Sequence, residues 1–191
     1  MPPVRGTPEG VVRASAFRLG FKKPSPFSFY LRAPAIAGAR ALFAPARVAG
    51  HLSGMADVTV TRRLLFNAAH RVHNPALSDE ENARLFGRCN NPNWHGHNYT
   101  LDVSVTGEVD ERTGYVIDLG VLKRIVEREV IDKVDHKNFN LEVDFMRGVI
   151  PTTENIVVAI WRVLEPAIAP ARLTRLVLWE TPNNYVEYDG K

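Results

Sequence analysis

From His95 the chain alternates. His95, His97, Tyr99, Leu101, Val103 and Val105 take every second position, with Gly96, Asn98, Thr100, Asp102 and Ser104 between them. A period of two sustained this far demands an extended strand with one apolar face, because successive strand side chains point to opposite sides. His95 and His97 then aim at one point at the start of that face. Two converging imidazoles suit Zn²⁺, which keeps an open position when it is catalytic, so a third protein ligand is required. His70 is the candidate, since it ends the run Val58 to Ala69, a strand expected beside this one; His73 is the alternative. A lone histidine is ordinarily a surface or core residue without a ligand role. Here four of the six histidines fall between positions 70 and 97, and the only cysteine, Cys89, lies six residues before His95. That spacing places a nucleophile or base beside a metal site.

Charge divides the chain. Residues 1–54 hold eight of the 24 basic residues and one of the 21 acidic ones, leaving 16 against 20 in the remainder. The formal +3 therefore belongs to the leader, and the body offers no basic surface of the kind nucleic acid requires. The leader also carries seven of the 13 prolines and no sustained apolar period, which predicts a disordered segment. Its apolar stretch from Ala35 to Gly50 is interrupted by Arg40 and Arg47, so neither a membrane span nor a signal-peptide core is read there. Two readings of this segment stand: an Arg-rich organelle transit peptide, or translation starting at Met55, which its sparse serine favours. The domain is expected to span residues 55–191, and the cytoplasm is the default compartment for a chain with one cysteine and no export signal.

Within the body, Val58 to His70 reads as a strand and Asn74 to Arg88 as a polar loop with a short helix. Asn98 to Val109 and Tyr115 to Ile117 read as a hairpin joined by the turn formers Asp110 to Gly114. Asp118 is placed to cap a helix with apolar positions Leu122, Ile125, Val126, Val130 and Val134. A second helix follows Pro151-Thr152-Thr153, striped by Ile156, Val157, Ile160, Trp161 and Leu164 and stopped by Pro166. Leu173 to Glu180 and Tyr185 to Asp189 complete the set as strands. The pattern predicts an α+β domain: a four-stranded antiparallel sheet with two helices on one face. Its exposed edges invite pairing with further copies.

Two more clusters carry possible chemistry. Asp135-His136 follows the first helix, and an Asp beside a His can orient an imidazole, although adjacent side chains need not bond and a solvated helix end is the plainer reading. Glu180 ends the apolar run Leu176 to Trp179, so its carboxylate stands at the mouth of a pocket, suited to accept two hydrogen bonds from an amino-heterocycle.

These blocks together resemble the 6-pyruvoyl-tetrahydropterin synthase family. The resemblance runs from Val58 to Lys191 through Leu77 to Asn82, Leu85 to Asn93, His95-Gly96-His97-Asn98-Tyr99, Asp135-His136-Lys137-Asn138, Thr152-Thr153-Glu154-Asn155 and Glu180 to Asn184. It implies a T-fold subunit assembled as a homohexamer, a dimer of trimers whose sheets join into barrels, with sites at subunit interfaces. It implies zinc on His70, His95 and His97, and a thiol at Cys89. Asp135 and His136 are expected to come from a neighbouring subunit, and Glu180 to anchor a pterin near Thr152, Thr153 and Glu154. The implied substrate is 7,8-dihydroneopterin triphosphate, whose triphosphate nominates Arg71, Arg88 and Lys137. Trp94 departs from the family, which usually has glycine there, and is expected to narrow the pocket.

Within the superfamily, 6-carboxytetrahydropterin synthase of queuosine synthesis is the alternative, but the five residues between Cys89 and His95 resemble the pyruvoyl enzymes. A noncatalytic protein with a closed zinc site, Cys89 its fourth ligand, is a second alternative. A Cys-His hydrolase lacks any oxyanion-hole motif.

Overall fold

The computed structural model describes residues 57–191; the expectations for residues 1–54, and the boundary at Met55, lie outside them. The strands are β1 (Val58–His70), β2 (His95–Gly107), β3 (Lys137–Asn138), β4 (Arg172–Thr181) and β5 (Asn184–Tyr188), in sheet order β3-β1-β2-β4-β5. The helices are α1 (Asp79–Phe86), α2 (Leu119–Val126), the short α3 (Asp132–Val134) and α4 (Thr153–Leu164). None among the described residues is long and apolar enough to cross a membrane.

The expected alternation governs the sheet. Leu64, Phe66, Ala68 and His70 on β1, Tyr99, Leu101 and Val103 on β2, and Leu176 and Leu178 on β4 are buried on one face. The helices supply the other half of this core through Leu122, Val126, Ile156, Ile160 and Leu164. Trp161 is buried there too, edge-on to Tyr188, as a core residue. The opposite face of the sheet sets polar pairs among Leu65, Val177 and Trp179. Thr59, Thr106 and Thr174 form a chain of hydroxyls with O···O distances of 2.7 and 3.0 Å, and Arg63 grips Asp102 through two bonds of 2.6 and 2.7 Å.

Asp118 caps α2 as expected, its Oδ1 accepting the Gly120 and Val121 N–H groups. Leu122, Val126, Val130 and Val134 are all fully buried. A four-residue repeat outruns the 3.6 residues of an α-turn and would rotate this stripe off the sheet. Between α2 and α3 the helix widens into a π-turn, Glu127–Ile131, which keeps all four valine and leucine side chains facing the core.

Two expectations are corrected. Tyr115 to Ile117 is not a strand. Both edges of β2 are taken by β1 and β4, so no edge is left for it. The 110–115 segment instead closes on itself: Asp110 Oδ1 accepts from Arg112 N, Thr113 N and the Thr113 hydroxyl, and the Asp110 N–H reaches Tyr115 O at 2.9 Å. The sheet is also mixed and five-stranded, because Lys137–Asn138 adds in parallel to Ala68 and Ala69 of β1. The His136 and Phe139 N–H groups dock it there, on Asn67 O and Ala69 O at 2.6 and 2.9 Å.

Candidate metal centre and active site

The register of β1 on β2 builds the histidine cluster. His70 stands directly opposite His95, and His97 stands opposite Ala68, two residues along the same face. Cross-strand partners and their diagonal neighbours on one face are within side-chain reach. The ring centroids are 4.4 Å apart for His70 and His95, and 5.1 Å for each of the other two pairs. One ligand nitrogen from each ring falls within 4.8 Å of the other two. Gly96 makes this possible, since a Cβ there would stand 2.9 Å from the Ala68 carbonyl oxygen. Phe66, stacked on Tyr99 at 5.0 Å, and Phe139, edge-on to both, form the apolar floor beneath.

The cluster has the donors a metal needs. His70 Nδ1 donates to the Pro151 carbonyl at 2.8 Å, which fixes the tautomer and leaves Nε2 as the lone-pair nitrogen. Nε2 of His70, Nδ1 of His95 and Nε2 of His97 are buried and have no hydrogen-bond partner. Buried polar atoms are rarely left this way. Burial, reinforced by the neighbouring rings, lowers the pKa of His70 and of His95, favouring the neutral imidazole that binds metal. The described residues that gather here are His70, His95 and His97. Cys89 is not among them. His73 is elsewhere, its Nδ1 on Asn90 Oδ1 at 3.0 Å.

Glu180 continues the core face of β4 past Leu176 and Leu178, which carries its carboxylate to the cluster. Its Oε1 lies 3.7 Å from both His70 Nε2 and His97 Nε2, and accepts the Thr153 hydroxyl at 2.9 Å. Thr152 caps α4 through its side chain on Asn155 N. The Pro151-Thr152-Thr153 turn therefore steadies His70 with a carbonyl and Glu180 with a hydroxyl.

Cys89 is exposed on the 3₁₀ turn Gly87–Asn90. Its carbonyl accepts Val72 N at 2.8 Å, and Asn90 is clasped by Arg71 Nε, which donates to both its backbone and side-chain oxygens. Buried Asn82 binds the carbonyls of Asn74, Leu77 and Ser78, locking α1 to the chain that leaves β1. Two clefts meet at Cys89. One, of about 440 Å³, includes His70, Thr152, Thr153, Glu154 and Glu180; the other, of about 880 Å³, includes Arg71, Arg88, His95 and His97.

Asp135 and His136 line neither cleft. They are nonetheless a formed pair: His136 Nδ1 is 3.0 Å from Asp135 Oδ2, and Asp135 Oδ1 accepts Asn67 N at 2.8 Å. The Asn67 N–H, aided by His136, holds the Asp135 carboxyl below the usual range. His136 has φ +59° and a side chain 81% exposed. Lys137 ion-pairs with Glu142 at 3.6 Å and is absent from both clefts. Trp94 does not line them either; it faces a separate hollow with Arg71, His73 and Met146. Its φ of +65°, a value glycine adopts freely, explains why glycine suits this position.

Sequence reasoning missed Asn82, Asn90 and Pro151. The asparagines read as turn formers, and a backbone carbonyl leaves no signature in a side-chain pattern.

A family model described as 6-pyruvoyl tetrahydropterin synthase matches residues 59–191. The chain belongs to this family. The 6-pyruvoyl tetrahydrobiopterin synthase of Homo sapiens is 46% identical over 132 residues, covering 69% of this chain and 91% of the human protein. That of Drosophila melanogaster is 42% identical over 132 residues, covering 69% and 79%. The structure of the Caenorhabditis elegans 6-pyruvoyl tetrahydropterin synthase superposes with a TM-score of 0.68 at 41% identity, covering 72% of this chain and 98% of that one. Membership of this synthase family makes the chain a lyase of the α+β T-fold.

Proposed function

We propose that this protein is a zinc-dependent 6-pyruvoyl-tetrahydropterin synthase, converting 7,8-dihydroneopterin triphosphate to 6-pyruvoyl-tetrahydropterin and triphosphate. The observation that carries the reading is the convergence of three imidazoles, each with a buried, unpartnered nitrogen, beside clefts that share Cys89. His70, His95 and His97 would hold Zn²⁺, which when bound supplies a Lewis acid that acidifies neighbouring hydroxyls and C–H bonds.

The reaction eliminates triphosphate and moves hydrogen within the substrate, so no external oxidant enters the balance and proton carriers suffice. Cys89, exposed where both clefts meet, takes and returns protons on the substrate side chain. Glu180, held by Thr153, accepts hydrogen bonds from the amino-pyrimidine edge of the pterin, with Thr152 and Glu154 beside it. Asp135 orients His136 for the second proton transfer. That pair is braced by Asn67 yet lies outside its own chain's clefts, which favours delivery into a neighbouring subunit's site. A homohexamer, a dimer of trimers, is the assembly that would complete the site.

Mass spectrometry after incubating the zinc-loaded protein with 7,8-dihydroneopterin triphosphate tests this. The expected product is 6-pyruvoyl-tetrahydropterin without acetaldehyde. Release of acetaldehyde with 6-carboxytetrahydropterin, or unchanged substrate, would overturn it.

A further inference from the structure

Six buried side-chain polar atoms among the described residues have no hydrogen-bond partner, and four of them gather on the core face where β1 ends and β2 begins: His70 Nε2, His95 Nδ1, His97 Nε2 and the Tyr99 hydroxyl. A metal on the histidines accounts for the three nitrogens. It does not account for the hydroxyl. A phenol keeps its proton at neutral pH even without burial, so Tyr99 is a donor in want of an acceptor and not a further ligand. The residue is fully buried. Its ring is stacked on Phe66 at 5.0 Å and edge-on to Phe139 at 5.8 Å, and neither neighbour offers an acceptor. It also meets the histidine rings, edge-on to His97 at 5.6 Å and to His70 at 6.4 Å. Glu180 and Cys89 are close enough to add to the upward push that burial gives the phenol, and both line the smaller cleft. Phenylalanine would fill this place as Phe66 and Phe139 fill theirs, and a buried hydroxyl without a partner costs stability that a phenyl ring avoids. An acceptor supplied from outside the chain removes that cost, and the polar groups near the ring place its entry where the imidazoles, Glu180 and Cys89 come together.

We propose that the Tyr99 hydroxyl positions the substrate, donating a hydrogen bond to an oxygen of the side chain that reacts at the histidine cluster. Resting on the synthase reading, this gives the substrate two unlike anchors: Glu180 accepts from the heterocycle, and Tyr99 donates to the side chain. Hydroxyl and carbonyl oxygens both accept, so one neutral donor holds the side chain before and after its hydroxyls become carbonyls.

Calorimetry on the full-length zinc-loaded protein, in wild type and Tyr99→Phe, is the test, with 7,8-dihydroneopterin, which has the side chain, and 7,8-dihydropterin, which lacks it. The substitution deletes the hydroxyl and keeps the ring. It should weaken dihydroneopterin binding about tenfold, the loss of one hydrogen bond, and leave dihydropterin binding unchanged. The melting temperature of the ligand-free variant should equal or exceed that of wild type, because an unpaired hydroxyl is lost; a hydroxyl with a partner inside the protein would give the reverse. Equal dihydroneopterin affinity in the two proteins, a parallel loss of both pterins, or a lower melting temperature overturns the proposal. A wild type that binds neither pterin sinks the synthase reading and the proposal together, whereas the expected pattern in a protein that fails to convert dihydroneopterin triphosphate sinks the synthase reading and leaves the role of Tyr99 standing.

Discussion

The His70 Nδ1–H group donates to the Pro151 carbonyl at 2.8 Å, joining the end of β1 to the turn that opens α4. This bond presents Nε2 to the centre of the cluster, and His70 is only 1% exposed. Replacing the ring with alanine removes one of the three converging imidazoles and leaves a cavity beside the other two. His70→Ala is expected to lower bound zinc from about one per chain to a small fraction after dialysis, read by atomic emission. It should also destabilise the domain by about 2–4 kcal/mol, in the range of large-to-small changes in cores.

Gly96 sets a separate limit on the same cluster. A Cβ would press on the Ala68 carbonyl oxygen, an atom of the paired strand that cannot swing aside. Gly96→Ala should therefore splay β1 from β2 where His95 and His97 face His70. The expected result is a weaker zinc affinity together with a loss of about 1–3 kcal/mol in denaturant unfolding. Unchanged zinc affinity would show that the strands can absorb the methyl group.

The histidine cluster was legible in the sequence because strand periodicity and antiparallel pairing are strong constraints: His95 and His97 share a face by alternation, and a strand ending at His70 has one place to put it. Glu180 was legible for the same reason, as the next inward position after Leu178. The failure at Tyr115 to Ile117 came from local signals that were real but outcompeted. The turn formers do make a turn, yet the edge of β2 that a hairpin needs is occupied by β4, a strand more than sixty residues later in the chain. The π-turn at Glu127–Ile131 was hidden because apolar residues at four-residue steps look like any helix stripe. Trp94 was read through its size, whereas its backbone angle is what distinguishes the position.

That angle gives a comparison free of side-chain packing. Trp94→Ala and Trp94→Gly both remove the indole from its hollow, but only glycine relieves φ +65°. Left-handed backbone costs an ordinary residue roughly 1 kcal/mol. Trp94→Gly should thus be the more stable of the two by about 1 kcal/mol, seen as a melting temperature several degrees higher. Equal melting temperatures would mean that the loop relaxes out of the left-handed region once the ring is gone.

Asp135 predicts a pH dependence. The Asn67 N–H and the adjacent His136 hold its carboxyl below the usual carboxylate range. The unfolded chain therefore binds the proton more readily than the folded one, so the group stabilises the fold fully above the unfolded value and loses that contribution as pH falls through the lower folded value. Asp135→Asn should flatten the stability profile below about pH 4 relative to wild type, while stability near neutrality drops because the acceptor for Asn67 N is weakened. Chemical denaturation at pH 3 and pH 7 measures both limbs; identical slopes would show that the carboxylate is not tied to Asn67 in solution.

Cys89 separates chemistry from architecture. Its carbonyl, not its thiol, anchors the turn to Val72, and its side chain is exposed. Alanine keeps that backbone bond and removes only the thiol to which proton transfer is assigned. Cys89→Ala is expected to keep wild-type zinc content and melting temperature while lowering kcat by about 10²–10⁴, the range for losing a general acid or base. If zinc and stability fall together with activity, the thiol is a fourth metal ligand and the site is closed, as in a structural zinc protein. If all three are retained, proton transfer on the substrate side chain passes through another group, and Glu180 and Tyr99 become the places to look. Tyr99 carries a buried hydroxyl with no partner, its phenol pushed up by burial with Glu180 and Cys89 close by.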